Sequence, residues 1–152
     1  MSLEALYQEI LLDHYRRPRN RGPLPEADVH EHGINPFCGD RIELYVKLDG
    51  DRVVEARFEG AGCSISQASA SMLTEAIRGK RLSEVLEFAR NVEGMLKGEQ
   101  EAAKDLGEIE ALKGVSKFPV RIKCALLAWK VLEQGLKAAE HNNSPPEART
   151  GE

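Results

Sequence analysis

An α+β fold, a small antiparallel β-sheet packed by several helices, is predicted by three observations. The first is an amphipathic helix pattern at the N-terminus. The second is a strand–turn–strand pattern between residues 42 and 58. The third is a set of helical patterns after residue 66, the last of them long and opened by Pro119. Helices before and after one hairpin fit a small sheet packed by helices.

The N-terminal helix is read over residues 2–15. Leu3, Leu6, Tyr7, Ile10 and Leu11, with His14 or Tyr15, recur at three-to-four spacing, and Ser2 can cap the start. Pro18 follows its end, and the stretch Arg16-Arg17-Pro18-Arg19-Asn20-Arg21-Gly22 reads as a basic loop. Pro23, Pro25 and Gly33 extend the irregular region. Ile42, Leu44, Val46 and Leu48 then alternate with Arg41, Glu43, Tyr45 and Lys47, the period of a half-buried strand. Asp49-Gly50 signals a turn, and Val53 to Phe58 supplies the returning strand. From Ser66 to about Arg78, Ala68, Met72, Leu73, Ala76 and Ile77 form an apolar helical stripe that Gly79 ends. Another helix is expected from Ser83, although Ser83 with Leu86 lacks a full capping box. The stretch from Glu93 to Lys113, rich in Glu, Lys and Gly, reads as exposed helix or loop. The last helix runs from Pro119 to about Ala139, with Val120, Cys124, Val131, Leu132 and Leu136 on its buried side and Trp129 packed in the core. One domain over residues 1–140 and a flexible tail over 141–152 are expected.

Composition narrows the function classes. A net charge of −4 argues against a dedicated nucleic-acid binder. No apolar run approaches the roughly 18 residues of a membrane span, and no basic, apolar leader opens the chain, so a cytoplasmic protein is expected. Three cysteines, an odd number, argue against a disulfide framework and for reduced thiols.

Those cysteines occupy three distinctive contexts: Asn35-Pro36-Phe37-Cys38-Gly39-Asp40, Gly60-Ala61-Gly62-Cys63-Ser64 and Arg121-Ile122-Lys123-Cys124. Cys38, Asp40, Cys63 and Cys124 make a complete four-ligand set for a soft metal. The hairpin brings the Cys38 loop and the Cys63 loop together, because both lie at the ends remote from its turn. Gly39, Gly60 and Gly62 would let the backbone turn closely around an ion. Cys63 precedes a helix N-terminus, which favours a thiolate. Arg121 and Lys123 precede Cys124; they would lower its pKa or hold an anion, or stand as solvated cations, and Arg121 is the better partner for Asp40. Three buried structural cysteines are the bland alternative. Ser64, Ser66, Ser69 and Ser71 are expected to cap the helix rather than to bond sulfur. His14, His30, His32 and His141 are not taken as ligands. No nucleophile elbow, P-loop or dinucleotide fingerprint is present.

From about Tyr7 to about Ala139 the chain resembles the U-type iron–sulfur cluster assembly proteins, the IscU, SufU and NifU N-terminal family. The resemblance rests on Asp13-His14-Tyr15 to Pro18-Arg19-Asn20, the Asn35 to Asp40 loop, Gly62-Cys63 to Ala68-Ser69-Ala70-Ser71, and a third cysteine leading a C-terminal helix. It implies an α+β fold with a metal site at one end, and it maps the family's three cysteines and aspartate onto Cys38, Cys63, Cys124 and Asp40. Lys123 stands where the IscU branch has His, and Phe118-Pro119-Val120-Arg121-Ile122-Lys123 has one proline where that branch has two. The stretch from about Arg90 to Lys113 looks like an insertion. All three features resemble the SufU branch.

The resemblance implies a cysteine desulfurase as sulfur donor and downstream iron–sulfur acceptor or scaffold proteins as partners; charge and hydropathy add the expectation of no nucleic acid and no membrane. Three roles follow. In the first, the chain is a scaffold that receives sulfur, on Cys124 by its helix position and cationic neighbours, and holds a nascent [2Fe–2S] cluster. In the second, it is an enzyme, a zinc-dependent sulfurtransferase with Zn2+ at the same site. In the third, it is a structural zinc domain that only binds other proteins.

Overall fold

The structure is a computed structural model that describes residues 2–99 and 106–142. Helix α1 spans Leu3–Arg16, and the Ser2 hydroxyl accepts a hydrogen bond from the Ala5 N–H at 3.1 Å, as its cap position predicts. Strands β1 (Val29–Asn35), β2 (Asp40–Asp49) and β3 (Arg52–Ala61) form one antiparallel sheet in the order β1-β2-β3. Helices α2 (Ser64–Ile77) and α3 (Leu82–Leu96), a 3-10 helix (Gly107–Lys117) and helix α4 (Pro119–Asn142) complete the order.

The hairpin forms as the alternation predicts. Ile42, Leu44 and Val46 of β2 face inward with Ala56 and Phe58 of β3. A bulge at Lys47/Leu48 shifts the register, so Val53 is buried while Val54 faces solvent. Strand β1 was not expected. Its inner positions are Val29, Glu31, Gly33 and Asn35, so apolar alternation is missing from the sequence. Helix α4 packs closely over this strand. A Cβ on Gly33 would stand 2.7 Å from Val131 Cγ2, and one on Gly135 2.7 Å from Val29 Cγ1. Two glycines therefore set the distance between α4 and the sheet.

Helices α2 and α4 pack together in the core. Ser69 of α2 donates to the Ala125 carbonyl at 2.7 Å and accepts from the Trp129 indole N–H at 3.0 Å. This joins the helix that starts at Cys63 to the helix that carries Cys124. One expectation is corrected. The described parts of the stretch from Glu93 to Lys113 are not all exposed: Glu93, Gly94, Met95 and Leu96 end α3 in the interior, and Ile109, Ala111 and Leu112 of the 3-10 helix are buried. Helix α4 runs through Asn142, and the rest of the tail expected over 141–152 lies outside the described residues. Among the described residues no helix is long and apolar enough to cross a membrane.

Candidate metal centre

The site is built at the end of the sheet remote from the Asp49-Gly50 turn. Asn35 pairs with Asp40, so only residues 36–39 bridge β1 and β2. Asn35 organises this turn: its carbonyl accepts from Gly39 N–H at 2.8 Å, and its side-chain oxygen accepts from Phe37 N–H at 3.2 Å. Gly39 adopts φ +69, which lets the chain re-enter β2 directly at Asp40. On the neighbouring strand Arg41 pairs with Ala61, so the chain leaving β3 passes beside Asp40 and reaches Cys63.

Asp40 is buried, and its Oδ1 accepts the Cys63 N–H at 2.8 Å. Gly62 makes this approach possible. Its φ is +138, and a Cβ there would stand 2.8 Å from Asp40 Cα and 3.0 Å from Cγ, closer still to Oδ1. The glycine thus wraps the backbone around the carboxylate.

Cys124 lies in the second turn of α4, fully buried at 0% exposure. Its Sγ is 3.2 Å from Cys38 Sγ, and both are free thiols. One donor atom each from Cys38, Asp40 and Cys124 lies within 4.8 Å of the others. Cys63 stands beside this trio, its Sγ 3.8 Å from Asp40 Oδ2. The structure therefore brings all four sequence candidates to one place, three in a tight group and Cys63 attached through Asp40.

The electrostatics correct the expectation about the cations. Arg121 is exposed and makes no ion pair with Asp40 among the described residues. The Lys123 ammonium sits 4.6 Å over the Phe37 ring rather than on a thiol. Burial pushes the Cys124 thiol above its ordinary value of 9, and the adjoining Cys38 thiol adds to the rise. A buried carboxylate beside three thiols, with no cation of the described residues paired to it, is a donor set whose charge a metal ion would balance. Soft sulfur with one oxygen suits zinc or iron.

The serines do not cap as expected. Cys63 is the cap residue of α2 and has no side-chain cap bond, while Ser66 Oγ donates to the Cys63 carbonyl at 3.0 Å. Asn35 is the contributor that sequence reasoning passed over: besides ordering the turn, its side-chain N–H group points to Cys124 Sγ at 3.9 Å. The Asn-Pro pair opening that turn was the available signal.

Residues 6–125 match the family model of the NifU-like N-terminal domain. The chain belongs to this family. Over 143 residues it is 52% identical to the zinc-dependent sulfurtransferase SufU of Bacillus subtilis (strain 168), covering 93% of this chain and 97% of that one. Over 136 residues it is 44% identical to the iron–sulfur cluster assembly scaffold protein IscU of Streptococcus pyogenes serotype M1, covering 89% and 85%. The crystal structure of a nitrogen-fixing NifU-like protein (N-terminal) from Brucella abortus shares the fold at a TM-score of 0.84, with 20% identity over 93% of this chain and 99% of that one. This NifU-like domain is thus similar along nearly its whole length both to a sulfurtransferase and to a scaffold.

Proposed function

We propose that the chain works in iron–sulfur cluster assembly as a zinc-dependent sulfurtransferase that accepts persulfide sulfur from a cysteine desulfurase. The observation that carries this reading is the convergence of Cys38, Asp40 and Cys124 within 4.8 Å, with Cys63 joined through Asp40. Cys38, Asp40, Cys63 and Cys124 would hold the zinc, which supplies the positive charge that keeps buried thiols deprotonated. The 52% identity to a zinc-dependent sulfurtransferase supports the choice of metal and role.

In the transfer, a thiolate of this chain attacks the outer sulfur of the desulfurase persulfide. The sulfur–sulfur bond to the desulfurase cysteine breaks, and that cysteine leaves as a thiolate. The sulfur stays on this chain as a new persulfide, with no net oxidation. Cys124 is the acceptor expected from the sequence. Accessibility favours Cys38, which is half-buried on the turn beside exposed Phe37, whereas Cys124 lies enclosed behind it.

The test is incubation with a desulfurase and cysteine, followed by mass spectrometry of peptides from the wild type, Cys38→Ser and Cys124→Ser. One added sulfur on a site cysteine, lost when zinc is removed with the fold intact, is expected. No added sulfur on the wild type would leave only the structural zinc domain. Persulfide formed equally well without zinc would refute the zinc dependence.

One observation favours the scaffold reading as a second role: a carboxylate completes an otherwise all-sulfur set. Asp40 is a harder ligand for iron than a thiolate, which suits a [2Fe–2S] cluster that must be handed to acceptor proteins. The 44% identity to an IscU scaffold protein supports it.

A further inference from the structure

A second group of ligand-type side chains lies away from the thiol site. His14 of α1, Glu75 of α2 and Glu108 of the 3-10 helix each offer a donor atom within 4.8 Å of the others. They line a cavity of about 240 Å³, walled elsewhere by Met72, Leu106 and Ile109.

His14 is 1% exposed, and its Nε2 has no hydrogen-bond partner. The nearest carboxylate oxygen, Glu108 Oε2, is 3.7 Å away, too far for a hydrogen bond. A buried ring nitrogen left without a partner is costly, and this one faces two carboxylates. The other nitrogen, Nδ1, lies 2.8 Å from Ser71 Oγ. Glu75 and Glu108 are each about half exposed, so the cavity is open to ions from solvent. Arg19 is the competing cation. Its guanidinium is held mainly by Asp13 at 2.6 Å and stands 3.8 Å from Glu75. Burial, aided by Arg19, holds His14 below its ordinary pKa of 6.5, which favours the neutral imidazole that a metal ligand must be.

We propose that His14, Glu75 and Glu108 bind a divalent first-row transition cation, of the Mn2+, Fe2+ and Zn2+ class, at a site separate from the thiols. One imidazole and two carboxylates are a mixed nitrogen–oxygen set suited to these ions. A metal on Nε2 places the ring hydrogen on Nδ1, which donates to Ser71 Oγ. That hydroxyl already accepts the Arg19 backbone N–H at 2.9 Å and has a second lone pair for the imidazole. The arrangement gives the metal-ligating histidine an orienting partner. Occupancy would tie the 3-10 helix to α1 and α2 through three side chains from three elements.

The test uses the full chain with its thiol site first filled by one equivalent of Zn2+. Mn2+ is then titrated, and the electron paramagnetic resonance signal of free Mn2+ is followed. Manganese favours oxygen and nitrogen donors and does not compete for three thiols. One Mn2+ per chain is expected, with binding at least tenfold weaker in Glu75→Gln and Glu108→Gln. Both glutamates are surface residues, so these variants fold irrespective of His14. No Mn2+ uptake by the zinc-loaded protein, or uptake unaltered in Glu108→Gln, would overturn the proposal.

Discussion

Replacing Gly62 with alanine isolates the contact on which the thiol site depends. At φ +138 an L-residue is strained, which costs about 1–3 kcal/mol. The added Cβ also meets Asp40, 2.8 Å from Cα and 3.0 Å from Cγ, so the carboxylate must move. Moving it breaks the 2.8 Å bond from Cys63 N–H, a hydrogen bond to a charged group worth about 1.5–3 kcal/mol. The total is a loss of about 2.5–6 kcal/mol. Gly39→Ala is the control: its φ is also positive, at +69, but nothing lies within 4 Å of a Cβ there, so it bears only about 1–2 kcal/mol of strain. Urea unfolding gives the two stabilities, and competition with a chromophoric chelator gives zinc affinity. Misplacing a ligand's support typically weakens a metal about 10–100-fold, and Gly62→Ala is expected to show this while Gly39→Ala does not. Equal zinc affinity and equal stability in the two variants would refute the reasoning.

Further expectations follow from other contacts. Ser69→Ala leaves the buried Trp129 indole N–H without its partner and removes the bond that Ala125 accepts beyond its own helix, and urea unfolding is expected to show a loss of about 1–3 kcal/mol. Asp40→Ala is expected to slow release of a reconstituted [2Fe–2S] cluster to an acceptor protein; unchanged transfer kinetics would count against the scaffold role. Glu43 is held below its ordinary pKa of 4.5 chiefly by its hydrogen bond with His30 at 2.5 Å. A depressed carboxylate adds stability above its unfolded pKa and loses it as pH falls through the folded value. Carbon-detected NMR titration should place the Glu43 midpoint below 4.5 in the wild type and return it towards 4.5 in His30→Ala.

Periodicity made most of the elements legible. Strands β2 and β3 showed themselves because Ile42, Leu44 and Val46 alternate cleanly against a buried face. Strand β1 stayed hidden because its inner face needs Gly33 where α4 comes close, and its outer face carries His30 and His32. The 3-10 helix was missed for another reason. Ile109, Leu112 and Val115 repeat every three residues rather than at the 3.6-residue period of an α-helix, among Glu, Lys and Gly that suggest solvent. At the site, residue chemistry singled out the cysteines and Asp40, and hairpin logic explained how distant loops meet. Sequence could not reveal that Lys123 stacks on Phe37 instead of facing sulfur, or that Cys124 is the enclosed thiol, because both depend on how α4 docks against the β1–β2 turn. Gly62 was read as freedom around an ion; the structure shows freedom around a carboxylate.

X-ray absorption at the zinc edge of the metal-loaded protein examines the central claim most directly. The account predicts one tightly held zinc per chain with three sulfur neighbours and one oxygen, and with one sulfur lost in each of Cys38→Ser, Cys63→Ser and Cys124→Ser. A zinc shell of nitrogen and oxygen alone, or one unaltered by those replacements, would contradict it.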